Sequence, residues 1–282
     1  MEEWRFIPFE RFSAFENMAT DEAILKVGQQ RQTPPTLRFY GWTEPAVTIG
    51  YSQNPRREIQ YDFCRKGGID IVRRPTGGKA VFHDGDLTYS FVAHERNPLF
   101  STDIMKNYGT ISRCIARGLE KAGIEAALVE EGRGSRVGSL DSFCFSLPLR
   151  NELLVGGKKI CGSAQLRSRS VFLQHGSILL DFDPEITARV MWKNEENLME
   201  DISKLKNSVT CVNEHSENGI ETDLLCRYIK ESFEETMKVR LLESSLTPRE
   251  EVLKERFLRD KYLRPEWNME GKVEIHGRNT DR

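Results

Sequence analysis

The sequence has no long apolar run, no paired-cysteine spacing and no strong excess of either charge, and each absence removes a class of protein. No stretch is long and apolar enough to span a bilayer, and Met1-Glu2-Glu3-Trp4-Arg5 lacks the basic start and apolar run of a secretion signal. A membrane role is not expected, and the cytoplasm is the expected compartment. The formal net charge of -2 over 282 residues argues against global attraction to nucleic acid. Six cysteines are scattered widely, with neither a C-x-x-C pair nor a zinc-type histidine spacing. Free thiols are therefore expected rather than a disulfide framework or a structural metal. Neither a P-loop nor a dinucleotide fingerprint is present, and no repeat or low-complexity segment interrupts the chain.

What is present patterns as a mixture of hairpins and helices. Ser13 and Glu16 form a capping box ahead of Phe15, Met18, Ala19 and Leu25, which predicts a first helix to about Val27. Alternation through Leu37–Tyr40 and Val47–Tyr51 predicts two half-buried strands, and residues 68–73 and 88–93 predict two more. Ile104, Tyr108, Ile111, Ile115 and Leu119 recur at helical spacing, with Gly123 as the stop. Residues 130–139 carry glycines and no periodicity, as a mobile loop would, and Cys144 lies just beyond them. Gly156-Gly157 predicts a hairpin between residues 152–155 and 158–166, followed by a strand over 171–181. Asp183-Pro184, Thr222 and Thr247-Pro248 open helices toward the C-terminus. The order implies an α+β domain, with residues 1–245 as the catalytic part and 246–282 as a short helical C-terminal extension packed on it.

Three segments carry the chemistry. In Arg73-Arg74-Pro75-Thr76-Gly77-Gly78-Lys79, followed by His83, two glycines at a strand end permit close backbone approach to a ligand, with cations alongside. A tight turn with exposed charges is the bland alternative. In Lys158-Lys159-Ile160-Cys161-Gly162-Ser163-Ala164, alternation puts Lys159 and Cys161 on one face, with Gly162 and Ala164 leaving room beside the strand. In Ser142-Phe143-Cys144-Phe145, a thiol sits on a loop, whereas Cys114 and Cys226 adjoin helical apolar stripes and read as core. Cys144 is the candidate nucleophile if a cation lies near it.

These segments, in this order, resemble the lipoate/biotin protein ligase superfamily, and within it the octanoyl-carrier-protein:protein octanoyltransferases of the Bacillus type. The resemblance runs nearly the whole chain, from Trp4-Arg5-Phe6 and Asn17-Met18-Ala19 through Arg38-Phe39-Tyr40-Gly41-Trp42, Gly50-Tyr51-Ser52-Gln53-Asn54, Leu87-Thr88-Tyr89-Ser90 and Gln174-His175-Gly176-Ser177 to Glu266-Trp267-Asn268. It implies a mixed central sheet flanked by helices, an acyl chain held near the glycine turn, a lysine at position 159 touching the acyl carbonyl, and Cys144 as acyl carrier. Arg73, Thr76, Gly77, Gly78, Lys79, His83, Gly162, Ala164, His175 and Gly176 are then the expected substrate-binding positions. His83 reads alternatively as a satisfied turn histidine, and His175 as a structural or acyl-pocket one. Cys161 stands where relatives commonly carry Ala or Ser.

The implied reaction moves octanoyl from octanoyl-acyl carrier protein through a Cys144 thioester to a lysine of glycine-cleavage H protein or another lipoyl domain. No cofactor or metal is expected, because a thioester already stores the energy of an amide. Arg56, Arg57, Arg133, Arg136, Arg167 and Arg169 are candidate docking cations for acidic partners, and a monomer is expected. An ATP-dependent lipoate ligase would need no cysteine and carries a third glycine where Lys79 stands. An amidotransferase moving octanoyl between lipoyl proteins is the other enzymatic rival, and a non-catalytic acyl-binding protein would not need both Cys144 and Lys159.

Overall fold

The computed structural model describes residues 1–30, 33–129, 152–191, 197–216 and 219–272. Strand β1 (Glu2–Phe12) leads through helix α1 (Ala14–Gly28) to β2 (Thr36–Trp42) and β3 (Ala46–Ile49). Helices α2 (Pro55–Glu58) and α3 (Tyr61–Lys66) precede β4 (Asp70–Arg73), β5 (Val81–His83) and β6 (Asp86–His94). Then come α4 (Ile104–Lys121), β7 (Ala127–Leu128), β8 (Leu153–Val155), β9 (Lys158–Ser168) and β10 (Val171–Leu179). The remainder comprises α5 (Pro184–Met191), α6 (Leu198–Ser208), α7 (Thr222–Met237), β11 (Val239–Glu243), α8 (Pro248–Phe257) and α9 (Pro265–Glu270).

Among the described residues these strands form a large mixed sheet, ordered β11-β1-β2-β6-β10-β9-β8-β7, and a small one, β4-β3-β5. The pairs of β1 with β11 and β2 are parallel, and the remaining pairs of the large sheet are antiparallel. The mixed sheet flanked by helices is the α+β architecture that the segment order implied. Strand β11 lies in a region read from sequence as helical, and α9 follows the helix read as the last one.

Strand alternation splits the large sheet into two chemically different faces. Leu37, Phe39, Leu87, Tyr89 and Phe91 join Ile111, Ile115, Ile229 and Phe233 in one core cluster under α4 and α7. The two helices approach closely at Gly118, where a Cβ would come within 2.6 Å of Ile229. The other face meets α1, which presents Asp21 to Arg38 and Tyr40 of β2. Strands β2 and β3 were predicted half-buried, but every residue of both is buried. The reason is that β2 has a helix layer on each side, so its polar alternate residues meet protein rather than water.

Helix α1 starts as predicted at the Ser13–Glu16 capping box. It is not a one-sided amphipathic helix, since 12 of its 15 residues are buried. Two acids among them, Asp21 and Glu22, each require partners, because an unpaired buried charge costs several kcal/mol. Glu22 receives Lys261 at 2.6 Å and Tyr262 at 2.5 Å from the turn after α8. Arg5 of β1 likewise meets Glu250 of α8 through its two terminal guanidinium nitrogens, at 2.8 and 2.9 Å. Residues beyond 246 are thereby fastened to β1 and α1 by buried ion pairs.

Candidate active site

The glycine turn is built around two arginines. Arg73, at the end of β4, donates to six backbone carbonyls: Gly50, Tyr51, Gln53, Trp267, Asn268 and Met269. Its side chain thus ties α9 to the turn after β3. Arg74 lies inside the next turn, with Nη2 donating to the carbonyls of Gly77 at 2.8 Å and Lys79 at 2.7 Å. The chain curls around that guanidinium, and Gly78 sits at φ +94°, a conformation that favours glycine. A Cβ on Gly50 would land on the Gly78 carbonyl, so the two backbones touch only because Gly50 has no side chain. A Cβ on Gly77 would meet nothing within 4 Å, which leaves the outer edge of the turn open.

Behind the turn runs a buried polar chain. Thr76 Oγ1 is 2.6 Å from His175 Nε2, and His175 Nδ1 is 3.2 Å from Asp21 Oδ2. Asp21 also accepts from Arg38, Tyr40 and Ser90. On the other side of Arg74, Thr48 Oγ1 is 3.0 Å from His83 Nε2, and His83 Nδ1 is 3.0 Å from Asp86 Oδ2. Asp86 accepts further bonds from Thr88 and Ser177, and Trp42 stacks on the His83 ring. Burial acts to raise the carboxyl pKa of both acids. The bond from His175 and the charge of Arg38 outweigh it at Asp21, and His83 with the two hydroxyls outweighs it at Asp86, so both lie below the usual carboxylate value. Burial holds His175 below the ordinary imidazole value, against the opposing pull of Asp21.

The second wall of the site is the start of β9. The hairpin turn Gly156-Gly157 forms as predicted, with both residues at positive φ. The register then slips: Leu153 pairs with Cys161 and Leu154 with Lys159, so Ile160 is an extra residue in β9. This bulge corrects the alternation read from sequence. Lys159 and Cys161 do not share a face; Cys161 joins the core cluster under α4, while Lys159 folds back across Gly162, where a Cβ would press on Cε at 3.0 Å and Nζ at 3.1 Å. The Lys159 ammonium is buried and meets Glu152 Oε1 at 2.5 Å. Ala164 lies opposite the glycine turn, 3.9 Å from where a Gly78 Cβ would be. Gly176 belongs to the other face, beneath the Tyr89–Ser163 hydrogen bond, and leaves no room for a side chain.

The structure thus gathers Thr76, Gly77, Gly78, His175, Gly162 and Ala164 around one strip, with Lys159 at its end. Arg73 and Gly176 lie behind it as supports, His83 stands one relay away through Thr48 and Arg74, and the Lys79 carbonyl closes the turn. Asp21, Asp86 and Glu152 were missed in the sequence; Asp21 lies in a helix that reads as ordinary and meets His175 only through the fold, whereas Asp86 stands three residues from His83 and Glu152 across one hairpin from Lys159. Cys144, Arg133 and Arg136 lie outside the described residues. The five described cysteines are free and buried. Burial pushes the thiols of Cys114, Cys161 and Cys226 up to about 12 and that of Cys64 up to about 11, and raises Cys211 as well.

The sequence profile of the lipoyl protein ligase A/B catalytic domain matches residues 13–234. The chain belongs to that family, in its octanoyltransferase branch. Octanoyltransferase LipM of Bacillus subtilis is 36% identical over 272 residues, covering 95% of this chain and 98% of its own. The LipM of Carboxydothermus hydrogenoformans is 36% identical over 268 residues, with 95% and 98% covered. Among solved structures, an archaeal bipartite lipoate protein ligase from Thermoplasma acidophilum superposes with a TM-score of 0.81 at 27% identity, covering 98% of this chain and 100% of its own. A lipoate-protein ligase A bound with ATP gives 0.78 at 28% identity, with 95% and 99% covered. Among the described residues, no helix is long and apolar enough to cross a membrane.

Proposed function

We propose that this octanoyltransferase takes octanoyl from octanoyl-acyl carrier protein onto Cys144 and passes it to a lysine of glycine-cleavage H protein or a similar lipoyl domain. The observation that carries the reading is the buried Lys159 ammonium at the end of the Gly162–Ala164 strip, facing the side of β9 on which the glycine turn lies. In the first step the Cys144 thiolate attacks the thioester carbonyl, a new carbon–sulfur bond forms, and the carrier leaves as a thiolate that takes up a proton. The developing oxyanion is met by Lys159 and by backbone N–H groups. In the second step the acceptor amine attacks, loses a proton, and expels the Cys144 thiolate, leaving an amide. Splitting the transfer lets one protein partner depart before the other arrives.

One feature supports a thiol route within this fold, and a second bears on which thiol would carry it. Lys79 stands where the ATP-dependent ligases carry a third glycine, and the five described thiols are buried with raised pKa, which suits packing rather than nucleophilic attack. An ordinary thiol has a pKa of about 8.5, so a neighbouring ammonium is needed to raise the thiolate fraction at neutral pH. Arg73, Thr76, Gly77, Gly78, Lys79, His83, Gly162, Ala164, His175 and Gly176 form or brace the acyl pocket in this reading. The test is transfer from octanoyl carrier protein to unlipoylated H protein, without nucleotide and with a chelator present. The expected result is full transfer under both conditions. A strict requirement for ATP would instead place the chain with the adenylate-forming ligases.

A further inference from the structure

The hydrogen-bond chain behind the glycine turn has a proton inventory that is fixed at one end by a carboxylate. An arginine has donors and no acceptor, whereas a hydroxyl has one proton to give. An ionised Asp21 can only accept, so a ring proton of His175 sits on Nδ1, facing Oδ2 at 3.2 Å. Thr76 Oγ1 accepts from Arg74 Nε at 3.1 Å and keeps its own proton, which a neutral ring accepts at Nε2, 2.6 Å away. The second relay repeats the logic: Arg74 Nη1 donates to Thr48 Oγ1 at 3.2 Å, Thr48 to His83 Nε2, and His83 Nδ1 to Asp86. Both relays end on the guanidinium whose Nη2 holds the Gly77 and Lys79 carbonyls.

We propose that Asp21 is a positioning residue of this enzyme, which fixes the neutral Nδ1–H tautomer of His175 and, through Thr76 and Arg74, the curvature of the 76–79 turn that faces the substrate. Asp86 plays the same part through His83 and Thr48. Neither carboxylate touches the acyl group. The length of the first relay explains why an acid in the middle of a buried helix matters to a turn more than fifty residues away: each link accepts on one side and donates on the other, so loss of one reverses or frees the next. Imidazole tautomers are set by such partners.

The inference about catalysis rests on the proposed octanoyl transfer, whereas the tautomer does not, and two measurements separate them. Nitrogen-15 NMR of histidine-labelled protein at neutral pH should show His175 protonated at Nδ1 and bare at Nε2. An Nε2–H ring or an imidazolium in the unmodified protein would overturn the proposal without any variant. Thr76→Val removes the hydroxyl at nearly constant volume and should leave the His175 tautomer unchanged, because Asp21 still accepts from Nδ1. It should slow single-turnover acylation by on the order of 10²-fold, the scale of a small misplacement of reacting groups. Thr76→Ser keeps the hydroxyl and should recover most of that rate. Equal rates for Thr76→Val and the parent would contradict the relay, and a shifted tautomer in the variant would mean that Thr76 rather than Asp21 sets it. Absence of any acylation in the parent would refute the proposed function instead and leave the tautomer assignment standing.

Discussion

The glycine turn and the Lys159 strand face the same strip of small residues, and they hold their cations in opposite ways. Arg73 and Arg74 give their donors largely to backbone carbonyls, whereas Lys159 is paired with the carboxylate of Glu152. The difference follows from the groups themselves. A guanidinium is a flat, permanently charged fork with five donors, suited to gathering several carbonyls at once, whereas an ammonium is a compact point charge on a flexible stem. Counting charges in Arg73-Arg74-Pro75-Thr76-Gly77-Gly78-Lys79 therefore overstates how many cations face a ligand. The arginines hold the wall in shape, and under the proposed reaction Lys159 is the cation that meets the developing negative charge.

The contrast is sharpest in the neighbouring lysines of β9. Lys159→Ala should lower single-turnover acylation of the enzyme by on the order of 10²–10³-fold, the range for losing one oxyanion donor. Lys158 bonds the Lys206 carbonyl at the surface, and Lys158→Ala should stay within about threefold of the parent, the scale of a surface change. Equal losses in the two variants would erase the distinction between the faces of β9.

Arg73 should behave in the opposite manner. Arg73→Lys keeps the charge but cannot reach six carbonyls, and each buried acceptor left without a partner costs about 1–3 kcal/mol. Denaturant unfolding should show a loss of roughly 2–4 kcal/mol, with part of the cost relieved by local rearrangement. Acylation per folded molecule should fall less than in Lys159→Ala. Unchanged stability with blocked acylation would mean that Arg73 binds substrate directly.

Features written in local spacing were legible in the sequence. The Ser13–Glu16 capping box, the Thr247-Pro248 helix start, the Gly156-Gly157 hairpin and the four-and-three spacing of α4 each depend on residues close in the chain, and each formed. The glycine turn and Lys159 were legible as candidates for the same reason. Most of what stayed hidden depends on distant partners. Asp21 meets His175 across 154 positions and Glu22 meets Tyr262 across 240, so nothing beside either acid marks it as buried and paired. The slip at Ile160 was hidden too, because strand alternation assumes one residue opposite one, and only the pairing with β8 reveals the extra residue. That slip moves Cys161 out of the site and into the core, a change no composition argument could supply.

The most direct test of the central claim is peptide mapping of the protein after mixing with octanoyl carrier protein in the absence of nucleotide. Cys161 is packed under α4 with its thiol pushed up to about 12, which leaves it protonated at neutral pH and a poor acyl acceptor. The predicted result is one octanoyl group on the Cys144 peptide, abolished together with turnover by Cys144→Ala and retained in Cys161→Ala. An octanoyl group on the Cys161 peptide, kept in Cys144→Ala and lost in Cys161→Ala, would contradict it.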